Sequence, residues 1–466
     1  MATEGPHSLV WFRRDLRLQD NPALNAALES GLPVVALYIH DPQPKDGWAQ
    51  GGASRWYLHH SLLALQQELA EIGVPLICQR GDAAEQIKRS LKARGIKKLF
   101  FNRVMEPGQV ELESDISALM ENRGIVGENF HEDSLLPADR VAKRDGSPFK
   151  VFTPFWRHAS EVLTHEGVEH RLFATPKPCS RPLAADSREV DKLGLLDTQP
   201  WHGKLHAYWS PGEDSAQQML SLFLEERIDA YEVFRDLPAQ LGTSKLSAAL
   251  HFGELSVARL YAVCQGRLAH EADDGVRAAM RRFLAQIGWR EFSRHVLTAF
   301  PHTPTLSLNR RYEHPGAWEA YGDDHQLKAW QRGETGIPLV DAGMRELWES
   351  GWMHNRVRMV VASFLTKNLG IHWLQGARWF WDTLVDADLA NNTLGWQWVA
   401  GCGTDAAPYY RIFNPQLQAK KFDPEGEYIH RWLGDDGMGN TPLVDLGASR
   451  AQALKRYQST IRKINN

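Results

Sequence analysis

The sequence predicts an N-terminal α/β domain built on a doubly wound parallel sheet, a long connector and a C-terminal all-α domain. In the first third of the chain, short apolar runs alternate with amphipathic segments, which is typical of βαβ units. A proline-rich stretch with little periodicity follows, and after it one helical pattern succeeds another. We therefore expect an α/β domain at residues 1–135, an inter-domain connector at 136–205 and a helical domain at 206–466.

Four short apolar runs predict the strands of the α/β domain. They lie at residues 8–12, 33–39, 75–79 and 97–102, and the segments between them, such as 54–72 and 83–93, have helical spacing. Strands that alternate with helices give a parallel sheet with right-handed crossovers. The glycine fingerprint of dinucleotide-binding folds and the P-loop are both absent, so we do not expect this domain to hold a cofactor in the usual way.

Repeated helical spacing predicts the helical domain. Its amphipathic segments lie at residues 214–228, 244–250, 256–265, 274–298, 340–349, 354–366 and 375–384. A glycine-rich stretch at 434–440 precedes a short basic helix, and we assign no chemistry to either.

Composition limits the classes of protein to which the chain can belong. Its residues are 43% hydrophobic and 24% charged, as in globular proteins, and no apolar run approaches the ~18 residues of a membrane span. The net charge of −4 argues against indiscriminate nucleic-acid binding but leaves room for a local basic groove. Four cysteines without C-x-x-C spacing predict neither a zinc site nor disulfides. We expect a cytoplasmic monomer that binds no metal.

One stretch has an unusual mixture of side chains. Eight of the 17 tryptophans fall between Trp330 and Trp398, among Asp, Asn, Arg and His instead of the aliphatic residues of a helical core. This mixture suits a large, flat, polar aromatic ligand. Three motifs stand out in and after it, at residues 351–359, 386–398 and 403–414.

These motifs, in this order, resemble the flavin-binding centre of the DNA photolyase/cryptochrome family, and within it a bacterial class I-type photolyase for cyclobutane pyrimidine dimers. Residues 11–22 and 150–155 also resemble family segments, so the resemblance covers about 8–432. It implies non-covalent, reduced FAD in the helical domain and UV-damaged DNA as partner. It implies light-driven repair, in which excited FAD passes an electron to a dimer flipped out of the duplex.

Two other functions stay open. A cryptochrome-type blue-light photoreceptor would keep FAD with little or no repair activity, and Gln286 together with the C-terminal tail favours it. Asn355, Met359, Asn392 and Trp398 favour repair. A flavin oxidoreductase without a role for light would need a nicotinamide site, and no motif for one is visible.

The resemblance also implies a set of residues that hold FAD. Hydroxyls near the start of a predicted helix at 244–250 suit a pyrophosphate, although Gly-Thr-Ser is also an ordinary helix cap. Arg358 is expected to pair with Asp386, and Asn392 to face flavin N5. The full set is Tyr231, Thr243, Ser244, Lys245, Leu246, Ser247, Phe283, Asn355, Arg358, Asp386, Ala387, Asp388 and Asn392.

The remaining implied residues bind DNA or move electrons. Gln286, Asn355 and Met359 match the lesion pocket, although typical bacterial dimer photolyases have Glu where this chain has Gln286. The residues matching DNA-facing positions are Arg235, Gln286, Trp289, Arg290, Asn355, Arg356 and Trp398. Trp330, Trp373 and Trp396 match a relay that carries an electron from the surface to the flavin, and without the family pattern each would be interpreted as a core aromatic.

The sequence does not determine whether an antenna chromophore is bound or which one it is. Folate-binding relatives have an Asn-Glu pair where this chain has Gly108 and Gln109, and the preceding Glu106-Pro107 is similar to deazaflavin-type relatives. Methenyl-folate, a deazaflavin, FMN or no antenna are all compatible with this segment.

Overall fold

The computed structural model describes residues 5–93, 95–131, 134–137, 140–184, 188–196, 200–319, 324–406, 410–434 and 440–462. Residues 407–409 of the third motif and 435–439 of the glycine-rich stretch lie outside the described residues. None of the helices described is both long enough and apolar enough to span a bilayer.

The N-terminal part is a five-stranded parallel sheet. Its strands are β1 (His7–Phe12), β2 (Val34–His40), β3 (Leu76–Arg80), β4 (Ile96–Asn102) and β5 (Val126–Phe130). Their order is β3-β2-β1-β4-β5, and every pair is parallel. The strand order reverses between β1 and β4, as in doubly wound folds. The predicted fold class is therefore confirmed.

Helices cover both faces of the sheet. They are α1 (Pro22–Glu29), α2 (Gly52–Glu71), α3 (Ala83–Ala93) and α4 (Pro107–Arg123). Val10 and Phe12 pack in one hydrophobic core with α1 and α2, while Leu9 and Trp11 pack in another with α3 and α4. This alternation follows from the period-2 geometry of a strand. Burial on both faces explains the continuous apolar runs of the inner strands.

Several elements were not predicted from the sequence, among them one strand and a helix in the connector. Strand β5 is mostly exposed and lies at the sheet edge, so it lacks the apolar run by which the other strands were found. Helix α5 (Phe152–Glu166) lies within the connector, which is therefore not without regular structure. Phe155, Ala159 and Leu163 recur at helical spacing and are buried, and Pro154 falls in the first turn, where a helix tolerates it.

Helices are the regular structure of the C-terminal part, and no strand occurs among its described residues, as predicted. Its helices are α6 (Glu213–Leu222), α7 (Tyr231–Phe234), α8 (Ser247–Phe252), α9 (Val257–His270), α10 (Asp274–Ala299), α11 (Asp324–Arg332), α12 (Pro338–Ser350), α13 (Asn355–Ser363), α14 (Trp373–Thr383), α15 (Leu389–Ala400), α16 (Pro415–Phe422), α17 (Glu427–Leu433) and α18 (Leu446–Arg456). Single π-helical turns extend α6, α13 and α18. The domain limits at 135 and 205 stay predictions.

Hydrogen bonds join α2 and the loop before it to the region around α14. The Ser54 hydroxyl donates to the carbonyl of Leu384 at 3.0 Å. The Trp381 indole donates to the carbonyl of Ala49 at 2.6 Å, and the backbone N–H of Gly52 donates to Asp382 at 2.8 Å. The α/β domain thus holds the helix that forms the back of the site described next.

Candidate functional site

A cavity of about 610 Å³ opens in the helical domain, which is within the usual range for ligand sites. Its walls come from α7, the turn before α8, and helices α10, α13 and α15. It brings together every residue predicted to contact the cofactor or DNA, together with Trp396; Trp330 and Trp373 lie behind it. Residues far apart in sequence therefore converge on one site, as the family resemblance implied.

The turn before α8 forms one wall of the cavity. Helix α8 begins at Ser247, so Thr243 and Ser244 precede it by about one turn, a correction to the predicted helix start at residue 244. Lys245 adopts φ 55°, a left-handed conformation that is uncommon for a side chain with a Cβ. Burial lowers the pKa of Lys245, although the negative charge of Glu346 acts in the opposite direction.

The predicted pairing of Arg358 with Asp386 is present in the structure. The Arg358 Nη2 donates to both carboxylate oxygens, at 2.9 and 3.2 Å, and its Nε donates to the carbonyl of Met353 at 2.7 Å. The hydroxyl of Ser247 donates to the same carboxylate at 2.7 Å. The guanidinium is therefore held rigidly at the cavity wall by charge-assisted contacts.

Asp388 connects the cavity to a buried network of charges. Its carboxylate accepts the N–H of Asn391 at 2.8 Å and so caps α15. Burial alone would raise the pKa of Asp388, but interactions with His251 and Arg294, at 3.6 and 3.7 Å, hold it far below the ordinary value. Burial, reinforced by the charge of Arg14, lowers the pKa of His251, which keeps this imidazole neutral.

Asn392 lies one turn into α15 and lines the cavity. Its amide nitrogen donates to the carbonyl of Ala377 on α14 at 3.0 Å, which fixes the plane of the amide. A side-chain amide is uncharged, so Asn392 can hydrogen-bond a ligand without supplying a proton.

The mouth of the cavity combines aromatic, amide and basic side chains. Trp289, Trp398 and Gln286 are each half-buried there. Arg356 donates to Asp236 at 2.7 Å. Arg290, predicted to face DNA, is only 7% exposed and donates to Glu291 at 2.8 Å. Its contact with DNA stays a prediction, and this burial argues against it.

The buried tryptophans pack behind the cavity. Trp396 lies against Trp330, with ring centroids 6.1 Å apart. It also lies against Gly376 on α14, where an added Cβ would meet the indole at 2.1 Å, so only glycine fits. Trp373 begins the same helix one turn earlier. Both Trp330 and Trp373 are fully buried.

The relay of Trp330, Trp373 and Trp396 stays a prediction. Trp330 is 0% exposed, which argues against placing it at the surface end of that relay. Trp318 is partly exposed, and its ring centroid lies 4.8 Å from that of His372, which in turn lies 5.7 Å from Trp373. Trp318 lies before the aromatic stretch of the sequence, and only the tertiary contacts bring it close to Trp373.

Metal ligands are not clustered in the part of the chain that the structure describes. No group of three or more His, Cys, Asp or Glu side chains there is arranged to hold a metal ion. The four cysteines are buried and free.

The fold and the cavity define a class of protein: an α/β domain joined to a helical domain with a pocket for a large polar aromatic ligand. Residues 8–179 match the DNA photolyase family model, and 283–435 match the model of the FAD binding domain of DNA photolyase. The chain belongs to the DNA photolyase/cryptochrome family and carries its FAD-binding domain.

Individual relatives agree with this assignment. The chain is 40% identical to a deoxyribodipyrimidine photo-lyase of Agrobacterium fabrum, over 96% of this chain and 97% of that protein. It is 36% identical to cryptochrome-1 of Arabidopsis thaliana, over 92% of this chain but 63% of that protein. The crystal structure of a class III photolyase from Agrobacterium tumefaciens superposes with a TM-score of 0.86, at 36% identity and 99% coverage of both chains.

The side chains present in the cavity fit FAD. Arg358 and Asp386 provide a fixed charged pair at the wall of the cavity. The hydroxyls of Thr243 and Ser244 lie on the same wall. Tyr231 and Phe283 add an apolar surface beside them.

Proposed function

We propose that this protein repairs cyclobutane pyrimidine dimers in DNA with light. One observation carries the proposal: the cavity joins the residues that would hold FAD to a mouth lined by two half-buried tryptophans, Trp289 and Trp398. When bound and reduced, FAD would supply the light-driven electron transfer that splits the dimer, and the electron would return to it afterwards. The alternative is a cryptochrome-type photoreceptor with little or no repair activity.

In this proposal the wall residues set the properties of the cofactor. Tyr231, Leu246, Phe283 and Ala387 shape the pocket, and the polar residues from Thr243 to Ser247 hold the pyrophosphate. The rigid Arg358 guanidinium favours negative charge beside it. The Asn392 amide would hydrogen-bond the flavin ring without supplying a proton, which favours a long-lived reduced state.

The mouth residues would bind the lesion and the DNA. Flipping the dimer out costs a few kcal/mol, less where stacking is already damaged, and stacking on Trp289 and Trp398 recovers about 1–3 kcal/mol per base. Asn355 lies exposed at the start of α13, and Met359 follows it by one turn. With a net charge of −4, DNA affinity must come from local cations such as Arg235 and Arg356.

A variant at Gln286 tests the repair reaction. A carboxylate contact to the dimer is worth about 1.5–3 kcal/mol when charged and roughly half that when neutral, and an amide offers only the neutral kind. We therefore expect Gln286→Glu to raise the number of dimers repaired per absorbed photon without changing flavin absorption. The measurement uses chemically pre-reduced protein, so that photoreduction does not limit it.

The outcomes separate the candidate functions. If the glutamate variant repairs no better than the parent, Gln286 is adapted to its own pocket. If neither protein removes dimers from damaged DNA in the light, the cryptochrome function replaces the repair function.

We further propose that an antenna chromophore binds away from the segment at 102–109. In that segment Gln109 accepts a bond from Arg13 at 3.3 Å, and Arg13 is paired with Glu113 at 2.7 Å. A side chain at Gly108 would meet the Asp46 carboxylate at 2.7 Å. Gly108 and Gln109 are therefore occupied by contacts within the protein, and the cavity beside residues 102–106 measures only about 220 Å³.

An open cavity of about 700 Å³ on the helical domain is a better candidate for the antenna. Its wall contains Trp348 and Trp379, whose rings are 6.0 Å apart between centroids and parallel to within 6°. Arg332, Arg345 and Arg431 surround them. Parallel indoles with guanidinium groups at the rim suit a planar, anionic chromophore, which describes methenyl-folate, a deazaflavin and FMN alike.

If the antenna binds at this site, a substitution at Trp348 should change the absorption spectrum of the protein. Trp348→Ala should remove any near-ultraviolet or blue absorption that is not due to FAD, in freshly purified protein or after reconstitution with methenyl-folate. Val110→Ala is the control, since Val110 is 45% exposed against 43% for Trp348 and lies on α4. A non-flavin absorption band that survives in Trp348→Ala would locate the chromophore elsewhere.

A further inference from the structure

The segment at residues 149–152, at the start of α5, contacts Trp289 directly and is linked to Trp398 through Asp405. The ring of Phe152 stacks on that of Trp289, with centroids 3.9 Å apart and planes 9° apart. Phe292 meets Trp289 at its edge, 5.8 Å away at 76°. One face of the Trp289 indole is therefore covered by Phe152.

A backbone contact links the same segment to the second tryptophan. The indole N–H of Trp398 donates to the carbonyl of Asp405 at 3.2 Å. The backbone N–H of Asp405 donates in turn to the carbonyl of Lys150 at 3.1 Å. Asp405 adopts φ 54°, an uncommon conformation for a residue other than glycine, so this bridge is held in one shape by its surroundings.

The segment is itself fixed to α10, the helix that carries Trp289. The N–H of Phe149 donates to Nε2 of His295 at 3.0 Å. Burial lowers the pKa of His295 to about 4, so the ring stays a neutral acceptor at physiological pH. Trp156 on α5 lies so close to Gly288 on α10 that an added Cβ would approach its indole to 2.5 Å. The two helices cannot shift easily against each other.

We propose that residues 149–152 act as a brace that sets the distance and angle between Trp289 and Trp398, with Phe152 as a positioning residue. The proposal rests on the proposed repair function and deepens it: the brace keeps the two indoles that would stack on a flipped-out dimer in fixed positions relative to each other. Without Phe152, the Trp289 ring would lose its stacking contact. It would then populate other orientations, because a half-buried aromatic ring is fixed only by its neighbours.

Three substitutions separate ring stacking from simple filling of space. Phe152→Leu keeps an apolar side chain but removes the flat ring, whereas Phe152→Tyr keeps the ring. Thr153→Ala is the control, because Thr153 is exposed on the next position of α5. We expect Phe152→Leu to lower the affinity ratio for damaged over undamaged duplex by about 2- to 10-fold, the range for one aromatic pair. Phe152→Tyr and Thr153→Ala should keep the parental ratio.

A second measurement does not depend on DNA. Fluorine NMR of protein labelled with fluorotryptophan gives a resonance for Trp289, assigned by its loss in Trp289→Phe. A stacked ring shifts this resonance, so we expect it to move in Phe152→Leu and to stay in place in Phe152→Tyr and Thr153→Ala. FAD content serves as the check that each variant is folded.

The two measurements distinguish failure of the brace from failure of the repair function. A Trp289 resonance that is unchanged in folded Phe152→Leu overturns the brace, as does an unchanged affinity ratio when the parent prefers damaged DNA. If the parent itself shows no such preference while the resonance moves, the repair function fails and Phe152 still positions Trp289.

Discussion

Replacing Trp396 with phenylalanine is expected to leave FAD bound but to abolish its photoreduction by an external reductant. Trp396 lines the cavity and is 3% exposed, so it is in place to be the inner electron donor. A phenyl ring is far harder to oxidise than an indole and cannot replace it. The measurement follows the flavin absorption spectrum of oxidised protein under blue light.

Two further substitutions identify the route beyond Trp396. If the electron arrives through Trp373 from partly exposed Trp318, then Trp318→Phe should slow photoreduction while Trp330→Phe leaves it unchanged. Trp330 is the control because its ring centroid lies 6.1 Å from that of Trp396 but its side chain is fully buried. The reverse result would assign the route to Trp330. Chemically pre-reduced Trp396→Phe should still repair dimers, since the relay serves only to reduce the flavin.

Local motifs account for what the sequence predicted well. Phe283, Gln286 and Trp289 lie on α10 at spacings of three residues, so a helix places them on one wall of the cavity. The strands β1 to β4 are apolar because both faces of the sheet are covered, and that burial made them visible. The edge strand β5 has no such pattern and was missed.

Features that depend on long-range contacts were not predictable in this way. Trp318 joins Trp373 only through His372, and the pairing of Phe152 with Trp289 spans the connector and α10. The parallel rings of Trp348 and Trp379 come from two different helices. Each of these residues alone has the sequence properties of an ordinary core or surface aromatic. The class within the family also stays a prediction: the sequence resembles class I, whereas the bacterial crystal structure that superposes well is a class III photolyase.

The second large effect is expected at Asp388, where one carboxylate caps α15 and faces two buried basic side chains. Asp388→Ala removes both functions. We expect it to cost roughly 3–5 kcal/mol of unfolding free energy, the usual penalty for removing one partner of a buried ion pair. Because α15 carries Asn392 and Trp396, flavin content should fall as well. Asp388→Asn keeps a good cap and should recover about 1 kcal/mol.

A buried carboxylate remote from the cavity provides the control. Asp341 is 1% exposed and accepts the N–H groups of Thr335 and Gly336, both at 2.8 Å, but it does not line the cavity. Asp341→Asn should lower stability and keep the parental ratio of flavin to protein. If Asp388→Asn also keeps that ratio, Asp388 stabilises the fold without shaping the flavin site.

The pH dependence of stability tests the charge of Asp388 directly. A carboxylate whose pKa is lower in the folded than in the unfolded protein stabilises the fold fully above its ordinary value, here 3.8, and progressively less as the pH falls below it. The difference in unfolding free energy between the parent and Asp388→Asn should therefore be constant near neutral pH and shrink in acid. Chemical unfolding followed by circular dichroism at a series of pH values measures it. A difference that stays constant into acid would show that the amide is a poorer fit for reasons of shape, and that the charge of Asp388 contributes nothing to holding α15 against the cavity.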